Sequence, residues 1–128
     1  MTMRPFFQTR AHSFRYAFQG WWFVIRTQRN AWIHALVSVV VIGVSLWLEI
    51  DRLEWALIVI AIALVWMSEF INTALEAVVD LASPEQNHLA KIGKDVGAAA
   101  VLIAAGSSIV IGILVLGPPL WQKILGWR

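Results

Sequence analysis

Residues 68–80 read SEFINTALEAVVD and follow directly on the apolar run WALIVIAIALVWM at 55–67. That run is too short to cross a bilayer alone, because a hydrocarbon core takes roughly 20 residues of helix. A span beginning at Trp55 therefore has to continue through two glutamates, an asparagine and an aspartate. No proline or glycine interrupts it before Ser83-Pro84, and Ala74, Leu75, Ala77, Val78 and Val79 support the continuation. On a helix, Glu69, Asn72, Glu76 and Asp80 fall in one stripe about 80° wide, bordered by Thr73. A carboxylate facing lipid at mid-bilayer costs about 2.5–3.5 kcal/mol. The stripe is therefore expected to face protein, water or a bound cation.

The rest of the chain fits that setting. Its 128 residues are 59% hydrophobic and 14% charged, with mean hydropathy +0.71. A soluble domain of this size has too little interior to hide so much apolar surface. The composition predicts an all-α membrane protein made of one domain over 1–128. With no cysteine, a disulfide framework, a thiolate metal site and a cysteine nucleophile are excluded. The few basic residues mostly share a segment with a hydrophobic stripe, which argues against nucleic acid as a partner. No cleavable signal peptide is expected, since the first long apolar run begins only near Ala31, after five arginines.

Residues 9–29 predict an amphipathic surface helix. Phe14, Ala17, Phe18, Trp21 and Ile25 recur at helical spacing, and Arg15, Gln19, Arg26 and Arg29 lie largely elsewhere around it. Transmembrane helices are expected at about 31–50, 54–80 and 96–121. EIDRLE forms a short charged hairpin after the first span, and SPEQNHLAKIGK is a polar connection before the third. Gly117-Pro118-Pro119 is expected to end or kink the last helix. Arginine and lysine concentrate before the first span and in the second connection, and the hairpin carries only Arg52. That bias places the N-terminus and the lower end of the stripe on the cytoplasmic side.

Acids spaced four residues apart repel, so a positive group is expected beside them. A divalent cation suits carboxylate oxygens, and Lys94, next to Asp95, is a second candidate at the same depth. Carboxylates, a cation and a lysine at a membrane surface fit phosphoryl transfer, which depends mostly on positioning and charge neutralisation. The soluble kinase signatures are missing: no G-x-x-x-x-G-K-[ST], H-R-D or D-F-G occurs. An ion or proton pathway through intramembrane acids is the competing reading.

Glu69-x-x-Asn72-x-x-x-Glu76-Ala77-Val78-Val79-Asp80, followed by Lys94-Asp95-x-Gly97-x-Ala99-Ala100-Val101-Leu102, resembles the small bacterial integral-membrane diacylglycerol and undecaprenol kinases. Ser13-Phe14-x-x-Ala17-x-x-Gly20 and Arg29-Asn30-x-x-Ile33-His34 match as well, so the resemblance covers nearly the whole chain. It implies a homotrimeric helical bundle in the bacterial inner membrane. It also implies transfer of the ATP γ-phosphoryl group, with Mg2+, to the hydroxyl of a membrane lipid. Arg29-Asn30-x-x-Ile33-His34 looks more like the undecaprenol kinases, which favours undecaprenol over diacylglycerol.

The resemblance further implies residue roles. Glu69 is the general base, with Asn72, Lys94 and Asp95 catalytic beside it. Arg10, Tyr16, Gln28, Glu76, Asp80, Glu85, Gln86, Asn87, Lys94 and Asp95 contact nucleotide. Glu76 holds the metal with position 28, and Glu69, His34, Trp47 and Ala98 meet the lipid. The chain departs from the family pattern at two places. Gln28 stands where the family has a metal-binding acid, and Asn87-His88 replaces the histidine usual after S-x-E-x. Gln28 keeps a further reading open, a catalytically weak member acting as a membrane scaffold or lipid binder.

Overall fold

The computed structural model describes residues 6–83, 85 and 87–126, with side chains from His12 onward. The described chain is all helical: α1 (Phe6–Thr27), α2 (Arg29–Leu48), α3 (Arg52–Ala82) and α4 (His88–Leu125). The last three are long and apolar enough to cross a membrane. Their outward faces carry large apolar side chains such as Leu36, Ile60, Leu102 and Leu114, all well exposed. Such surface suits lipid, and helices satisfy their backbone groups internally, as a bilayer demands.

The helix ends follow from local chemistry. α1 stops where the Gln28 backbone becomes extended (φ −98°, ψ 116°). Gln28 N–H still bonds the Val24 carbonyl at 2.9 Å, and its own carbonyl accepts from Ala31 N–H at 3.2 Å. One residue thus joins α1 to α2. At the other end of α2, Glu49 takes a left-handed conformation (φ 55°), which is uncommon outside glycine. It lets the backbone close on Ser45 and Leu46. The chain then re-enters helix through a capping box. Asp51 Oδ1 accepts from Leu53 and Glu54 N–H, and Glu54 Oε2 accepts from Asp51 N–H at 2.8 Å. EIDRLE is therefore a tight, internally bonded hairpin, with Leu48, Ile50, Ile58 and Val115 buried together beneath it.

α3 runs unbroken from Arg52 through SEFINTALEAVVD to Ala82. α4 begins at His88, well before the uncharged stretch at Val96, because Asn87 Oδ1 accepts from Leu89 N–H at 2.8 Å and caps it. The first turns of α4 therefore carry the polar residues of the connection. Pro118 and Pro119 lie inside α4, which continues past them to Leu125.

α3 and α4 pack along each other most extensively. Ser108 Oγ donates to the Ala61 carbonyl between them at 2.9 Å. α2 is tied to α3 by Trp66 Nε1, which donates to Ser38 Oγ at 3.2 Å. At the hairpin end, Lys123 Nζ donates to the Trp47 carbonyl at 2.6 Å and lies over the Trp47 ring.

Candidate active site

The polar stripe of α3 is graded in depth. Glu69 is 1% exposed, and Asn72 and Thr73 are buried with it. Glu76 is half-buried, and Asp80 is exposed. The stripe thus passes from the interior of the bundle to its open end along one helix face, so the acids avoid lipid.

Glu69 faces α2. Its Oε2 stands 3.9 Å from His34 Nε2, and the side chains are 2% and 15% exposed, respectively. Among the described residues neither atom has a hydrogen-bond partner. Their separation exceeds hydrogen-bond length, so the two groups face a shared gap. The surroundings fix both. Ser38 Oγ donates to the His34 carbonyl at 2.7 Å and accepts from Trp66, whose ring meets the His34 ring edge-on. Thr73 Oγ1 donates to the Glu69 carbonyl at 2.9 Å. On the α1 side, Trp21 stacks on Trp66 with ring centroids 5.2 Å apart and leans on Phe70.

One turn further on, Asn72 Nδ2 donates to Glu76 Oε1 at 3.0 Å. Asn72 Oδ1 points at Gly97 of α4, where an added Cβ would overlap it and meet Leu75 Cδ2 at 3.0 Å. A glycine is needed there because α4 crosses directly over the amide. The Asn72 carboxamide is thus pinned between an acid and a neighbouring backbone, which aims Glu76.

Below lies a cleft of about 730 Å³ between the end of α3, the connection and the start of α4. Asp80, Glu85, Asn87, Lys91, Lys94 and Asp95 line it, mixing both signs of charge. Lys94 Nζ pairs with Asp80 Oδ1 at 2.5 Å, with both side chains well exposed. A surface pair of this kind holds little energy, so the ammonium is free to exchange its partner for a stronger anion.

The structure thus brings Glu69, His34, Asn72 and Glu76 onto one continuous face and collects Asp80, Lys94, Asp95, Glu85 and Asn87 around one cleft. Other predicted residues lie apart. Tyr16 is exposed on α1 and stacks on His12. Gln28 sits half-buried at the α1–α2 joint, where its side chain makes no capping bond. Trp47 is at the hairpin end of α2, about 20 Å of helix rise from His34. Ala98 is exposed on α4. Arg10 lies in α1 with its side chain outside the described residues, and Gln86 is outside them altogether.

Among the described residues no three acids or histidines converge as a metal cage. Magnesium brought in on nucleotide phosphates needs only one or two carboxylates. The half-buried Glu76, oriented by Asn72 next to the cleft, fits that requirement.

Lys91, Ser38 and Trp66 join the site from outside the predicted set. The charge of Lys91 was legible, but its direction was not. The Trp66–Ser38 bond links positions 28 residues apart and has no local sequence signal.

The sequence is similar to known proteins over most of its length. The family described as prokaryotic diacylglycerol kinase matches residues 15–116. A diacylglycerol kinase of Synechocystis is 43% identical over 109 residues, which cover 84% of this chain and 62% of that protein. The chain thus spans about three fifths of the length of that relative. An undecaprenol kinase of Bacillus subtilis is 37% identical over 108 residues, 84% of this chain and 88% of its own. A diacylglycerol kinase of Escherichia coli is 32% identical over 101 residues, 73% of this chain and 80% of its own.

Proposed function

The chain belongs to the prokaryotic diacylglycerol kinase family, and from that premise we propose that it is a lipid kinase. It transfers the ATP γ-phosphoryl group to the hydroxyl of a membrane lipid, undecaprenol or diacylglycerol. The observation that carries this reading is the buried Glu69 carboxylate with an unpartnered oxygen, on the same helix face that ends in a charged cleft. A lipid hydroxyl reaches the first from the bilayer, and a nucleotide reaches the second from water.

In this mechanism Glu69 takes the hydroxyl proton as the oxygen attacks. The new bond joins that oxygen to the γ-phosphorus. The bond from the γ-phosphorus to the bridging oxygen breaks, and ADP leaves with its electron pair. A positioned carboxylate base contributes about 10²–10⁴-fold. Asn72 orients Glu76, and Asp95 borders the nucleotide with Asp80, Glu85 and Asn87. Lys94 exchanges Asp80 for phosphate. Glu76, with Gln28, would hold magnesium, which would supply charge neutralisation at the phosphates. Arg10, Tyr16 and Gln86 are nucleotide contacts, and His34, Trp47 and Ala98 contact lipid.

Homologues from bacteria and three apolar helices make this a bacterial integral membrane protein. The arginine and lysine bias supports a place in the inner membrane with the cleft facing the cytoplasm. α1 then lies on that surface, its exposed Phe14, Phe18 and Trp22 in the headgroup region and Arg15 and Arg26 toward anionic lipid. The large apolar area left uncovered supports assembly as a homotrimer.

The deciding experiment incubates the purified protein in lipid nanodiscs with labelled ATP, magnesium and a panel of polyprenols and diacylglycerols. Label is expected in a lipid phosphate. Tight nucleotide binding with no transfer to any lipid alcohol would favour the scaffold reading that Gln28 keeps open.

A further inference from the structure

Trp66 stands one helical turn before Glu69 on α3, so the two side chains share a helix face. Its indole N–H is turned toward α2, where it donates to Ser38 Oγ at 3.2 Å. A polar bond between helices is common glue in a bilayer. What is particular here is its address. Ser38 Oγ is the hydroxyl that donates to the His34 carbonyl at 2.7 Å.

Trp66 thus meets residue 34 at two points. Through Ser38 it bears on the His34 backbone. Its ring also meets the imidazole edge-on, with centroids 6.4 Å apart and planes at 68°. The outer torsion of a histidine has broad wells, so an imidazole without such a neighbour turns easily. Turning moves Nε2, the atom that faces Glu69 Oε2 at 3.9 Å. Nε2 has no hydrogen-bond partner among the described residues, so no bond at that atom sets the angle of the ring. The indole edge restricts it instead.

Trp66 also meets α1. Trp21 stacks on it with centroids 5.2 Å apart and planes 17° apart. Phe70, one turn beyond Trp66 on α3, completes a cluster of three rings, 5.8 Å from Trp21 and 6.1 Å from Trp66. α1 joins α2 through the single extended residue Gln28, so packing has to set the direction of α1. Trp21 supplies such a contact even though it stays half exposed. Trp21, Trp66 and His34 therefore form a column of rings that runs from the surface helix to the candidate base.

We propose that Trp66 is a positioning residue: it holds the His34 imidazole opposite Glu69, and through Trp21 it makes that hold depend on the seat of α1. The proposal rests on the lipid kinase reading and adds how the lipid half of the site is kept in register with the membrane surface.

The test measures phosphoryl transfer in nanodiscs for Trp66→Phe, Ser38→Ala and Trp21→Ala, each with His34 present and in a His34→Leu background. Phenylalanine keeps a ring in the cluster and removes the N–H donor, so Trp66→Phe is expected to fold. Ser38→Ala removes the acceptor and reports on the same link should the ring change loosen the bundle. With His34 present, Trp66→Phe and Ser38→Ala each lower kcat/KM for the lipid alcohol about 3- to 10-fold, the effect of one lost hydrogen bond. Trp21→Ala lowers it about threefold, toward the lower end for an aromatic pair. The KM for ATP is unchanged in all three. In the His34→Leu background each substitution changes kcat/KM by less than about 1.5-fold, because the group it acts through is gone. In parallel, without ATP or lipid alcohol, the His34 imidazole signal of protein labelled with 15N-histidine is recorded at one pH. That signal, identified by its loss in His34→Leu, is expected to shift in all three variants.

Losses that persist in full in the His34→Leu background would overturn the proposal and leave Trp66 as helix packing. A rise in the KM for ATP as large as the lipid effect would do the same. A loss for Trp66→Phe with none for Trp21→Ala would overturn the part given to α1. If wild type phosphorylates no alcohol but the His34 signal still shifts, the kinase reading fails and the hold on His34 stands. If the signal does not move, the hold fails whatever the activity.

Discussion

His34 Nε2 and Glu69 Oε2 face each other at 3.9 Å across the α2–α3 boundary, and neither is bonded to anything else among the described residues. That separation is too long for a direct hydrogen bond, and a hydroxyl seated beside the pair, off the line joining them, can reach both atoms. Glu69→Gln is therefore expected to lower phosphoryl transfer by about 10³-fold, within the usual range for a lost base, and to leave nucleotide affinity unchanged. His34→Leu removes one hydrogen bond to the hydroxyl and is expected to cost about 10- to 100-fold in kcat/KM for lipid. His34→Gln, whose amide reaches a similar place, recovers much of it. Lipid and ATP titrations of the three variants check this, and a loss in ATP affinity alone would move His34 out of the lipid site.

Gly97 and Gly93 form a second, paired prediction. An added Cβ at Gly97 collides with the Asn72 carboxamide, whereas at Gly93 its nearest neighbour is Val79 at 3.7 Å, an ordinary contact. Gly97→Ala is expected to destabilise the α3–α4 contact by about 1–3 kcal/mol and to reduce activity by displacing Asn72 from Glu76. Gly93→Ala is expected to be neutral or to stabilise by up to about 1 kcal/mol. Thermal unfolding in one detergent, measured for both, separates the two cases.

The exposed Asp80–Lys94 pair predicts a split between stability and affinity. Lys94→Met is expected to change stability by less than about 1 kcal/mol, because exposed ion pairs contribute little. It raises the KM for ATP while the lipid KM holds. An equal rise in both would mean that Lys94 organises the cleft as a whole rather than contacting phosphate.

Gln28 yields the fourth prediction. Its side chain makes no capping bond at the α1–α2 joint, so Gln28→Glu breaks no cap and adds an anionic oxygen donor. The magnesium concentration for half-maximal activity is expected to fall, because each added carboxylate strengthens a hard-cation site. An unchanged magnesium titration would show that position 28 is not a metal donor in this chain.

Much of the helical arrangement is legible in the chain itself. The apolar run at 55–67 was too short to stop where it did, so SEFINTALEAVVD had to be helix, and its spacing aligned Glu69, Asn72, Glu76 and Asp80. EIDRLE was readable as a hairpin because its charges end two apolar runs. The start of α4 was harder to see. It is set by the Asn87 side chain bonding one backbone amide, a local event with no hydrophobic period. Helix pairings were also hidden. Nothing in the spacing indicates that Trp66 meets Ser38, that Gly97 lies on Asn72, or that His34 opposes Glu69, because each depends on how helices rotate against one another.

The unbroken length of α3 constrains how this chain can change. At 31 residues the helix rises about 46 Å, and it is anchored at one end by the Asp51 capping box. It behaves as a ruler on which the position of every acid is counted from that anchor. Inserting a single residue between Asp51 and Glu69 would turn the whole stripe by about 100° and slide it 1.5 Å, carrying Glu69 away from His34 and toward lipid. Substitutions can accumulate along α3, but changes of length cannot.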